Sequence, residues 1–194
     1  MCLRRGFTEM GKFDRAKKIV WVVERMVAWL PKWSLGLLGR AFSNGESDLA
    51  AFARYLWLRR TAASCGTGVF IGPQVEFKYP ARLILGKDVS IHRWCFIDAG
   101  GGLKIGDYVA IAHSVSLISV SHSFTDPNVP IKKQPTRKGQ IVIGNDVWVG
   151  AGARVLCGVH VCDRVVIGAN SVVSKDIVVS GVYVGAPAQM IRPL

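Results

Sequence analysis

The sequence predicts a mainly β chain: a triangular solenoid of parallel strands, led by a helical segment. Three observations predict it. An aliphatic residue returns every sixth place through Ile143, Val149, Val155, Val161, Ile167 and Val173. Most such residues are followed by a small or polar one, often glycine, and a second small or branched residue stands four places on. Helical periodicity is confined to the residues before Gly66-Thr67-Gly68, after which Val, Ile and Gly dominate.

Residues 1–65 read as the helical segment. A first helix is expected over about residues 14–30, stopped by Pro31. Trp21, Trp29 and Trp33 stand beside Lys17, Lys18, Arg25 and Lys32, the mixture of an interfacial amphipathic helix or of one packed on protein. Its apolar runs are too short to span a bilayer, and no secretory signal opens the chain. Ser43-Asn44-Gly45-Glu46 has capping-box spacing ahead of a second helix with Leu49, Phe52 and Leu56 on its apolar face and Arg54, Arg59 and Arg60 on the polar one.

Residues 66–183 read as the solenoid. The marked aliphatic positions begin at Ile71, Leu85, Ile91, Ile97, Ile105, Ile111 and Leu117. A period of six suits a short strand and a turn, with one large residue pointing inward per strand. Three such strands make a coil of about eighteen residues. Glycine at the turns is expected to supply backbone angles that a Cβ penalises. A two-residue slip falls at Ala99–Gly102, and the beat stops between Leu117 and Ile143. This long insert, 119–142, is expected to be a functional loop. It carries His122, Asp126, Lys132, Lys133, Gln134, Arg137 and Lys138. Residues 184–194 form a C-terminal tail.

Composition bounds the partners. The net charge is +12, and residues 1–60 hold 12 Lys/Arg against 5 Asp/Glu. That balance favours anionic partners such as a membrane surface or a phosphate-bearing small molecule. No nucleic-acid-binding motif is present, so nucleic acid is not expected. The cysteines, Cys2, Cys65, Cys95, Cys157 and Cys162, are odd in number and include no CxxC pair, which fits reduced thiols in a cytoplasm.

The segments IGNDVWVGAGARVL, IGANSVVSKDI and VGAPAQMIR, with the insert SHSFTDPNVPIKKQ, resemble the left-handed β-helix (hexapeptide-repeat) acyltransferases. The likeness is to their galactoside, maltose and surface-polysaccharide O-acetyltransferases and covers residues 70–194. The left hand of the helix comes from the resemblance alone. The resemblance implies a homotrimer with active sites between adjacent subunits, acetyl-CoA along the groove between two prisms, and a carbohydrate acceptor.

Its site residues carry over by position. Acyl transfer to a sugar hydroxyl needs a base, and imidazole, with a pKa near 6.5, suits the task. His122 stands where the family places its catalytic histidine, and Asp98 matches an acidic residue near the acceptor. The tetrahedral oxyanion calls for a backbone N–H, here that of Ala151. Trp148, Ala169 and Ser171 are implied to line the cofactor channel, and Lys175 and Arg192 to meet its phosphates. Gln189 stands where many members carry another basic residue. His92 falls near an acceptor-binding position where Asn is usual, and His113 is groove-lining or structural.

Two other activities share the solenoid. A γ-class carbonic-anhydrase-like hydratase would need three histidines on zinc, and His92, His113 and His122 lack that family's close spacing. No metal is expected. N-acetylation of an amino sugar is the other alternative, though no nucleotide-sugar-binding domain is visible. A noncatalytic scaffold would leave the long insert and its histidine unexplained. The expected location is cytoplasmic, with peripheral membrane contact through the N-terminal helices.

Overall fold

The computed structural model describes residues 42–194. The helix expected over residues 14–30 and the membrane contact assigned to it lie outside the described residues.

The second helix runs Asp48–Thr61. Its N-cap is Ser47, whose side chain accepts from Ala50 N at 3.2 Å, so the cap falls four residues after the expected Ser43. Asp48 in the first turn and Arg59 and Arg60 in the last complement the helix dipole. The buried face is only partly the expected one: Phe52 and Leu56 are partly buried against the core, but other residues form its centre. Ala50, Ala51, Arg54, Tyr55 and Leu58 point inward, and Leu49 is 66% exposed. Arg54, expected at a polar position, is buried because its guanidinium donates to the carbonyls of Ile71 (2.9 Å), Phe42 (2.7 Å) and Gly45 (2.7 Å). Burial pushes its pKa down. The helix thereby closes the first coil with a side chain that meets backbone acceptors left over at the solenoid's end.

Three parallel sheets form the faces of the prism. The first holds Ser64–Cys65, Leu83–Leu85, Leu103–Ile105, Ile141–Ile143 and His160–Val161. The second holds Phe70–Ile71, Ser90–Ile91, Ala110–Ile111, Val147–Val149, Val165–Ile167 and Gly181–Val184, with Gln189–Pro193 returning antiparallel at its edge. The third holds Glu76–Lys78, Phe96–Asp98, Ser116–Ile118, Arg154–Val155 and Val172–Val173. The sixfold beat is the core itself. Ile71, Ile91, Ile111, Val149 and Ile167 stack up one face, Leu85, Ile105, Ile143 and Val161 up the next, and Ile97, Leu117, Val155 and Val173 up the third, all buried. Each such side chain contributes about 1.5–3 kcal/mol by leaving water.

Coil length is not constant. Cys65 pairs with Leu85 and Leu85 with Ile105, whereas Ile143 pairs with Val161. The first two coils are therefore two residues longer than the eighteen-residue repeat. The slip at Ala99–Gly102 has a counterpart one coil below, where the 3₁₀ turn Pro80–Arg82 follows Tyr79. Phe77 fills that coil's place in the beat, opposite Ile97, and being aromatic it escapes a search for aliphatic residues.

The repeat glycines act differently from expectation. Gly72, Gly86, Gly106, Gly144, Gly150 and Gly168 do not have positive φ. They sit where coils nearly touch: a Cβ on Gly106 would lie 2.7 Å from the Gly144 oxygen, and one on Gly150 would lie 2.7 Å from Ala169 N. The left-handed turn angles fall two residues later, on Gln74, Asp88, Trp94, Tyr108, Ser114, Asp146, Arg164 and Asn170 among others. Acidic and amide side chains steady the first–second corner. Asp107 accepts from Lys87 N at 2.9 Å, Asn145 from Asp107 N at 2.8 Å and Asp163 from Asn145 N at 2.7 Å.

The insert is not a structureless loop. Val120–His122 and Thr136–Lys138 pair antiparallel into a ribbon that leaves the third–first corner. Gln134, buried in the ribbon's end, ties the intervening chain together.

Candidate active site

The residues assigned to chemistry gather at two different corners. At the second–third corner, Pro73, Arg93, His113, Ala151 and Ala169 stack coil on coil. Their register follows from the next residue of each successive turn: Trp94 N donates to Pro73 O (3.4 Å), Ser114 N to Arg93 O (3.0 Å), Gly152 N to His113 O (2.9 Å) and Asn170 N to Ala151 O (2.8 Å). Every donor has positive φ, from 57 to 70°. Among the described residues, the N–H groups of Arg93, His113, Ala151 and Ala169 donate to no acceptor in the chain. The turn thus presents a column of unused donors, with Ala151 half-buried and Ala169 exposed. Pro73 fits the same turn because that N–H is not used.

Trp148 is 51% exposed on the outer face of the second sheet. Its row runs on through Val166 and Val182 to Arg192, which is exposed at the sheet edge. Trp148, Ala151, Ala169 and Arg192 therefore share one side of the prism. Lys175 is exposed but follows the third sheet, at the opposite side of that sheet from Ala151. Ser171 departs from its assignment. It is fully buried, and its hydroxyl accepts from Gly185 N at 3.1 Å. It anchors the C-terminal hairpin instead of lining a channel.

His92 and His113 are exposed near the second–third corner, one coil apart. The His92 ring lies 5.8 Å from that of Phe70. His122 stands on the ribbon, exposed, opposite Thr136. The three histidines do not converge, and among the described residues no three His, Cys, Asp or Glu side chains are grouped to hold a metal.

At the third–first corner Asp98 is buried, and its Oδ1 accepts from Gly100 N at 2.8 Å. Its carbonyl accepts from Ser119 Oγ at 2.6 Å, and Ser119 Oγ accepts in turn from Gly101 N at 2.8 Å. Asp98 and His122 share no hydrogen bond within the chain, and the carboxylate shapes the turn beneath the ribbon. Sequence reasoning missed Tyr79 and Arg82 at this corner. The signal was present: the fourteen-residue step from Ile71 to Leu85 is too long for two units.

Comparison with known proteins fits these features. Residues 140–175 match the family model "Bacterial transferase hexapeptide (six repeats)". The galactoside O-acetyltransferase of Escherichia coli K12 is 30% identical over 142 residues, covering 71% of this chain and 66% of that protein. This chain thus spans just under two thirds of that relative's length. WcaF, a candidate colanic acid biosynthesis acetyltransferase of Escherichia coli K12, is 32% identical over 146 residues, covering 71% of this chain and 75% of WcaF. A crystal structure of a hexapeptide-repeat acetyltransferase from Vibrio cholerae O1 biovar eltor, complexed with acetyl coenzyme A, superposes with a TM-score of 0.72 at 25% identity, covering 84% of this chain and 86% of that one.

Proposed function

The chain belongs to the hexapeptide-repeat acetyltransferase family, and from that premise we propose that it moves the acetyl group of acetyl-CoA to a hydroxyl of a sugar or surface glycan. The acceptor oxygen attacks the thioester carbonyl while His122 takes its proton. The Ala151 N–H, unspent within the chain, stabilises the oxyanion. The C–S bond then breaks, the ester forms, and the departing sulfur receives the proton to leave coenzyme A. Trp148, Ala169 and Arg192 flank the cofactor on the second sheet.

The observation that carries this reading is the split between corners. His122 leaves from the third–first corner and Ala151 stands at the second–third corner, on opposite sides of the third sheet. One chain offers base and oxyanion donor pointing apart, and adjacent copies bring one chain's base to another's donor. A homotrimer is the closed arrangement that makes three such sites from a three-sided prism. His92 and His113 then border the acceptor, and Lys175 meets the cofactor from the neighbouring copy.

Acetyl-CoA as donor goes with a cytoplasmic location. Among the described residues no helix is long and apolar enough to cross a membrane. Peripheral contact through residues 1–41 would add a surface-glycan context.

The test is thiol release from acetyl-CoA against a panel of sugars and glycan fragments, with His122→Ala alongside. Sugar-dependent release that the variant loses supports the reading. Full activity in His122→Ala would end the mechanism. Release that yields an amide on amino sugars alone would transfer the reading to N-acetylation.

A further inference from the structure

The ribbon that carries His122 faces a second group of residues. Antiparallel pairing sets Val120 opposite Lys138 and His122 opposite Thr136. Alternation places Val120, His122, Thr136 and Lys138 on one face of the ribbon, with Ser121 and Arg137 on the other. Val120, on that first face, meets the prism, while His122, Thr136 and Lys138 are exposed. A Cβ on Gly100 would lie 2.6 Å from Val120 Cγ2 and 3.1 Å from Tyr79 Cδ2, so the Tyr79 ring, Gly100 and Val120 are contiguous. Arg82 joins them: its guanidinium donates to the Gly100 carbonyl and lies 5.9 Å from the centre of the Tyr79 ring.

Two properties of this corner point outward. Tyr79 is 60% exposed and holds a left-handed backbone angle, φ 55°, which a bulky residue adopts at a cost. Its charges are also unbalanced. Among the described residues, neither Arg82 nor Lys138 has an ion-pair partner. Asp98, on the strand that leads into Gly100, is buried and hydrogen-bonded to Gly100 N. At the first–second corner, exposed cations do pair, as Lys87 with Asp107 and Arg164 with Asp146.

We infer that the acceptor is an anionic saccharide, its ring against Tyr79 and its carboxylate or phosphate held by Arg82 and Lys138. This rests on the proposed role of His122, which shares the ribbon face. An aromatic plane suits the apolar face of a sugar, and a guanidinium suits a planar or tetrahedral oxyanion.

Three probes separate the possibilities: a methyl hexuronoside, a hexose 1-phosphate and the neutral methyl hexoside. The wild-type protein is expected to favour a charged probe over the neutral one in kcat/KM by about tenfold or more. Which charged probe wins distinguishes carboxylate from phosphate. Lys138→Gln and Arg82→Gln are each expected to reduce that preference about tenfold through the acceptor KM, and Arg82→Lys to restore some of it. Equal use of charged and neutral probes by the wild type overturns the inference. So does a rise confined to the KM for acetyl-CoA, which would give these cations to the cofactor's phosphates. Equilibrium binding of the probes without acetyl-CoA keeps the inference separate from the transferase reading. Charged probes that bind, and bind more weakly to Lys138→Gln, sustain it even if no acetyl transfer occurs, and charged probes that do not bind overturn it.

Discussion

Gln134 grips Asp126 from both sides. Its Oε1 accepts from Asp126 N at 3.2 Å, while its Nε2 donates to Asp126 O at 2.8 Å and to Val129 O at 2.8 Å. A side-chain amide acts here as a peptide group would, closing residues 126–134 into a compact end for the ribbon. Gln134→Ala leaves these backbone groups to water at a local cost of about 1–3 kcal/mol. The solenoid's melting temperature is expected to hold, amide exchange over residues 124–134 to quicken, and turnover to fall about ten- to a hundredfold. Unchanged exchange in that segment would contradict the clasp.

The base and the oxyanion donor can be tested separately. His122→Ala is expected to lower kcat by about 10²–10⁴ with little loss of stability, since the side chain is exposed.

Ala151→Pro removes the N–H and adds a ring. Pro73 already occupies the same place two coils before His113, so the backbone there accepts the ring. The expected result is a fall in kcat of about 10²–10³ with circular dichroism and melting close to those of the parent protein. Full activity would remove Ala151 from the oxyanion site.

Gly106 has no room for a methyl group. A Cβ there would meet Asn145 Oδ1 at 2.6 Å, Gly144 O at 2.7 Å and Gly144 C at 2.8 Å. Gly106→Ala must push adjacent coils apart and is expected to cost about 1–3 kcal/mol. A calorimetric melting point lowered by about 2–4 °C per kcal/mol is the readout.

Cys95 supplies a pH dependence. Burial pushes its thiol up from the ordinary value of 9.0 to about 11, and Sγ donates to Ala112 O at 3.0 Å. The unfolded chain loses this proton first. Above pH 9 the unfolded state therefore binds fewer protons than the native one, and stability falls as pH rises from about 9 to about 11. Denaturant titrations across that window should show the decline, and Cys95→Ala should flatten it. Iodoacetamide at pH 8 should leave native Cys95 unmodified.

The core was legible because it is periodic. Each sixth aliphatic residue from Ile143 to Val173 is an inward rung, and the branched or small residue four places on from each is buried as well in most coils, as at Val147, Ala153, Val159 and Val165. Misreadings arise where one residue type serves two physical ends. Gly144 and Gly150 look like turn glycines, yet they relieve contact between coils, and residues such as Asp146 and Asn170 adopt the left-handed angles. Arg54 looks like a surface charge because sequence does not reveal that the solenoid's end leaves carbonyls for it to meet. The site was legible in places. His122 is marked by the broken beat, but the ribbon that holds it has no sixfold pattern, and the pairing of Val120 with Lys138 depends on a turn that periodicity does not describe. Ser171 keeps the beat, and keeping the beat means facing inward, away from any groove.

The reversed strand Gln189–Pro193 has a consequence for the molecule's extent. A stack of parallel coils has no intrinsic last member, because each new rim repeats the pattern that received the one before. The final strand runs the other way, and it ends at Pro193, which has no amide proton to offer a neighbour. On the second face, an incoming parallel strand meets an edge of the opposite polarity. The hairpin thus acts as an end-stop on that face, occupying the edge to which a further parallel strand, of this chain or another copy, would add.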